Sequence, residues 1–103
     1  MLSDDELALI ERRAAAATPG PWVAWTESRH GIGGESFIQI RPGAEGDDEL
    51  YVRRFTAGQE VKSPNPELDA DFDFIAAARQ DVPRLIAEVK RLRAALDRRD
   101  SSN

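Results

Sequence analysis

The sequence predicts an α+β domain in the order α-β-β-β-α-α: a three-stranded antiparallel sheet flanked by an N-terminal helix and two C-terminal helices. Three observations carry this expectation. Helix-period apolar patterns occupy both ends of the 103-residue chain. Between them lie three short runs rich in aromatic and β-branched residues. The loops joining those runs hold glycine and proline and are too short for a crossover, so neighbouring strands pair antiparallel.

The first helix starts at a capping box, Ser3 followed by Glu6, with Asp4 and Asp5 set against the positive end of the helix dipole. Leu7, Ile10, Ala14 and Ala17 recur at helical steps and make one narrow apolar stripe. Pro19-Gly20-Pro21 ends the helix. The three expected strands are Trp22 to Ser28, Ser36 to Arg41 and Glu49 to Phe55, separated by loops at Arg29 to Glu35 and Pro42 to Asp48. Thr56 to Pro66 holds Gly58, Pro64 and Pro66 and reads as a loop. A second helix is expected from about Glu67 to Arg79. The third, from about Val82 to Arg98, has Asp81 as its cap and Pro83 in its first turn, where proline is tolerated. Residues 1–99 are expected to form a single domain, with 100–103 a frayed tail.

Composition narrows the function. Net charge is −5 and there is no cysteine, which removes disulfides, thiolate metal sites and a cysteine nucleophile. No apolar run is long enough to cross a membrane, and the acidic N-terminus lacks the order of a signal peptide, so a cytoplasmic location is expected. Charge is unevenly spread. Glu45 to Asp73 holds nine acids against three bases, and Arg79 to Arg99 holds seven bases against three acids. An acidic middle facing a basic tail, within one molecule or between two, explains this better than nucleic-acid binding, which favours a basic whole.

Catalytic chemistry is sparse. His30 is the only histidine, so no histidine pair exists for a metal. Gly31-Ile32-Gly33-Gly34 has neither the lysine nor the strand–loop–helix setting of a phosphate-binding loop. Asp69, Asp71 and Asp73 fail the calcium-loop pattern, because Phe74 and Gln80 stand where glycine and glutamate are required. The expectation is a non-enzymatic protein with no cofactor and no metal.

Two features could serve recognition. Alternation along the strands puts Val23, Trp25, Ile38, Ile40, Leu50 and Val52 on one sheet face, a core for helices to cover. Trp22, Phe37, Gln39, Arg41, Tyr51, Arg53 and Phe55 then share the other. Aromatics interleaved with arginine suit stacking of a small anionic, nucleotide-like ligand, unless a helix or second subunit covers that face. Val82, Leu85, Val89, Leu92 and Leu96 step by 3, 4, 3 and 4, a heptad seam of about two heptads. Such a seam packs either on the protein's own sheet or on a second copy.

Ala16-Ala17-Thr18-Pro19-Gly20-Pro21-Trp22, together with the run from Asp71 to Arg93, resembles the Ead-like small proteins of bacteriophages and prophages and related short proteins of GC-rich bacteria. The likeness covers about a third of the chain, at its two ends. It implies a phage or prophage setting and supplies no mechanism. Within the likeness, Arg79 interrupts the apolar series between Ile75 and Val82, and is expected to face a pocket or the acidic Asp69–Asp73 stretch. The leading functional expectation is a self-associating interaction module that forms a homodimer or larger assembly, with another protein or a small anionic ligand as the further candidate partners. The alternatives are a small-molecule binder and, less favoured, a nucleic-acid-associated regulator.

Overall fold

Ser3 receives Glu6 N–H on its hydroxyl at 3.1 Å, and the Glu6 carboxylate receives Ser3 N–H at 3.2 Å, so the capping box sets the first helix, α1 (Asp4–Ala16). The computed structural model describes residues 1–32, 34–40 and 48–101. After α1 follow β1 (Trp22–Trp25), α2 (Glu27–His30), β2 (Phe37–Ile40), β3 (Glu49–Leu50), β4 (Phe55–Thr56), β5 (Gln59–Glu60) and α3 (Pro66–Ser101). The three-stranded antiparallel sheet is present with strand order β1-β2-β3, and a second, two-stranded ladder joins β4 to β5.

By its contacts the chain divides into two compact units, Met1–Ala17 with Asp81–Asn103, and Thr18–Gln80. In the first, α1 meets the C-terminal half of α3. Leu7 and Ile86 are buried there, Lys90 pairs with Glu11 at 2.6 Å, and Arg93 pairs with Asp4 at 2.6 Å. The second holds both ladders, α2 and the N-terminal half of α3. Its core is Ile38, Leu68, Phe72 and Ala76, with Trp22, Ala24, Val52, Val61 and Ile75 packed against it.

Four features depart from the sequence expectation. The two C-terminal helices are one, α3, with Asp81 and Pro83 both inside it. Proline removes a single backbone bond from a helix, whereas breaking it at Asp81 would orphan four N–H and four C=O groups. The true start is an Asn-Pro signal. Asn65 accepts Leu68 N–H on its side chain at 2.9 Å, and Pro66 sits where the first helical N–H has no partner anyway. At the other end the helix continues through Asp100 to Ser101.

The expected strand from Glu49 to Phe55 is interrupted. Glu49 and Leu50 pair with β2, while Phe55 and Thr56 turn back on Gln59 and Glu60. Ala57 (φ 50°) and Gly58 (φ 78°) form the turn, and positive φ at both central positions is the two-residue hairpin geometry that matches strand twist. Likewise the run from Trp22 to Ser28 stops at Trp25 and continues as the short turn α2, closed by Gly31 in the left-handed conformation at φ 56°.

The phase of β1 is shifted by one residue. Trp22 lies opposite Ile40 and Ala24 opposite Ile38, so Trp22 and Ala24 share the core face. Val23 and Trp25, expected in the core, lie on the outer face opposite Gln39 and Phe37. Aromatics stand at both ends of Trp22-Val23-Ala24-Trp25, so the strand's own pattern does not choose. The choice comes from α3, where the Gln80 amide receives Trp22 N–H at 3.1 Å and donates to Trp22 C=O at 3.2 Å.

Candidate functional site

The outer sheet face keeps some of its expected members. The Phe37 and Tyr51 rings lie 5.6 Å apart, and the Tyr51 hydroxyl donates to Glu49 at 2.6 Å. Trp25 adds its ring beside His30 at 4.7 Å and donates its indole N–H to Gln39 at 3.1 Å. The other residues expected to share this face are dispersed. Trp22 packs on the core side, and its indole N–H donates to Thr18 C=O at 3.2 Å. Phe55 is exposed on the β4–β5 hairpin. Arg79, expected not on this face but at a pocket or the acidic Asp69–Asp73 stretch, lies with its side chain against Gly20. Arg53 turns to Glu35 at 2.9 Å. Arg41 lies outside the described residues.

The acidic stretch at the start of α3 docks the loops of its own unit. Arg29 binds Asp73 through two hydrogen bonds, 2.9 and 2.6 Å, Ser28 donates to Asp69 at 3.3 Å, and Arg54 reaches both Glu67 and Asp71. Donating to the Asp73 carboxylate raises the Arg29 pKa, and donating to Glu67 raises that of Arg54. The acidic middle is thus matched by Arg29 and Arg54, while the tail bases Lys90 and Arg93 pair with α1. Among the described residues no group of three or more His, Asp or Glu is arranged to hold a metal ion, and no helix is long and apolar enough to cross a membrane.

Two places remain as candidates. The first is the α3 seam. Leu85, Leu92 and Leu96 are 62%, 49% and 58% exposed, while Val82 and Val89 are half-buried. At 3.6 residues per turn the three leucines lie about 100° around α3 from Ile86, Lys90 and Arg93, the face that meets α1. The seam is therefore a second apolar stripe, separate from the one used within the unit.

The second is a cleft of about 300 Å³ within the unit Thr18–Gln80. Its floor is Phe72, Leu68, Val52 and Val61. Ser36 and Ser63 meet across it with hydroxyls 3.4 Å apart, Ser36 also accepting Glu27 N–H at 3.0 Å. Glu27, Glu35, Glu60, Arg53 and Lys62 complete the lining. Glu35, hydrogen-bonded to the guanidinium, raises the Arg53 pKa, with Glu60 adding to it. Sequence reasoning missed this site because its members come from five separate segments; only Arg53 was singled out.

The sequence matches no protein-family model, and neither the curated proteins nor the solved structures yield a match.

Proposed function

We propose that the protein is a non-enzymatic, phage-type accessory protein that acts as an interaction module by pairing with a second copy of itself along the C-terminal half of α3. The observation that carries this reading is the exposure of Leu85, Leu92 and Leu96 at heptad spacing on a face that α1 leaves uncovered. A two-fold interface buries the same stripe from both protomers. An antiparallel pair sets Leu85 opposite the partner's Leu96 and Val89 opposite the partner's Leu92, so the stripe meets itself along its length. The likeness of the chain's two ends to Ead-like proteins supports the phage setting.

Light scattering coupled to gel filtration tests the reading. At high micromolar concentration the parent protein is expected at twice the monomer mass. Leu92→Glu places a charge in the seam and is expected to run as a monomer with unchanged helical content. A monomeric parent would overturn the proposal.

A further inference from the structure

The cleft has an apolar floor, a polar rim and an under-used carboxylate. Phe72 and Leu68 are nearly fully buried beneath it, so an entering group meets packed hydrocarbon. Its volume, about 300 Å³, stands at the lower end of small-molecule pockets and suits a single ring or a branched aliphatic group. Glu60 is the telling rim residue. Its side chain is 26% exposed, and its two cations, Arg53 and Lys62, stand at 3.8 and 3.9 Å, beyond hydrogen-bond reach. Among the described residues its carboxylate accepts no hydrogen bond, so its lone pairs are open to a short, charge-assisted bond.

The sign of the ligand follows from the rim. Three carboxylates face two bases, and Arg53 already donates to Glu35 at 2.9 Å. An anion entering here would displace Glu35 and approach the remaining carboxylates. A cation would meet Glu60 directly. The Ser36–Ser63 pair supplies a neutral contact, since whichever hydroxyl donates to the other, the pair keeps lone pairs able to accept from an ammonium.

We propose that this cleft binds a small molecule with an apolar body and a protonated primary amine, the body on Phe72 and Leu68 and the ammonium on Glu60 and a serine hydroxyl. The amine can come from a simple organic amine or from a free amino acid. The two sources differ in whether a carboxylate also reaches Arg53 or Lys62.

Amide chemical-shift titration of the full chain tests this with three probes sharing one ring: phenethylamine, phenylalanine and hydrocinnamate. Phenethylamine is expected to shift the amides of Ser36, Val61, Ser63 and Phe72 and to saturate on the order of 1 mM, the strength a ligand of this size reaches. Tighter saturation by phenylalanine supports the proposal with an amino acid as the source, and weaker saturation supports it with a simple amine. Glu60→Gln is expected to weaken phenethylamine by about tenfold, the effect of losing one charge-assisted bond. Ser63→Ala, a second variant, is expected to weaken it less. The proposal is overturned if neither amine saturates, if hydrocinnamate binds as well as phenethylamine, or if Glu60→Gln binds phenethylamine as the parent does.

Discussion

Phe72 and Trp25 show how burial and side-chain size part company. Phe72 is 2% exposed in the core cluster, whereas Trp25 is half-buried on the outer sheet face. Phe72→Ala is therefore expected to lower stability by about 3–5 kcal/mol in urea denaturation. Trp25→Ala, though it deletes the larger ring, is expected to lower it by only about 1–2 kcal/mol. Equal losses would place Trp25 in the core after all. At the exposed surface, Glu88 accepts from the Arg91 Nε at 3.2 Å one turn along α3, and this hydrogen bond holds its carboxyl below the ordinary value of 4.5. A depressed carboxyl pKa stabilises the fold above the unfolded-state value, and the contribution disappears as pH falls through the lowered one. Carbon-13 titration of Glu88 is expected to give a midpoint below 4.5 that returns to 4.5 in Arg91→Ala. An unchanged midpoint in the variant would remove Arg91 as the cause.

At the scale of elements, α3 shows a local rule overridden. Pro83 lies within a 36-residue helix, where it leaves the Arg79 carbonyl without its helical donor and crowds it. Pro83→Ala restores that donor, and is expected to raise stability by about 1–3 kcal/mol, read as a higher thermal midpoint. A lower midpoint would show that the half-buried ring contributes more by packing than its missing bond costs. β1 shows a different kind of control. Gln80 pairs its amide with both backbone polar groups of Trp22, as a neighbouring strand would. That pairing covers part of an edge that would otherwise be open to another chain.

For the whole molecule, the proposed pairing along α3 links stability to concentration. A partner that binds only the folded chain stabilises it by mass action. Each tenfold rise in protein concentration above the dissociation constant is expected to add up to about 1.4 kcal/mol per dimer. The thermal midpoint should therefore climb by a few degrees per decade in the parent and stay constant in Leu92→Glu. A midpoint independent of concentration in the parent would argue against the pairing. The uneven charge of the chain is matched within each unit: Asp73 and Asp71 hold Arg29 and Arg54 in one, and Glu11 and Asp4 hold Lys90 and Arg93 in the other.

Signals confined to a few neighbouring residues were legible in the sequence alone. The Ser3–Glu6 capping box, the stop at Pro19-Gly20-Pro21, the antiparallel β1-β2-β3 order and the heptad spacing from Val82 to Leu96 all depend on backbone rules that act within one or two turns. Tertiary structure decided what those rules leave degenerate. Trp22-Val23-Ala24-Trp25 satisfies either sheet face, and the Gln80 amide and the Phe72 core chose between them. Asp81 and Pro83 permit a helix start, and unbroken hydrogen bonding on both sides carried the helix through instead. The cleft was invisible for the same reason. Its floor and rim come from residues up to 45 positions apart, Glu27 to Phe72, and no pattern along the chain encodes a neighbourhood that only long-range packing assembles.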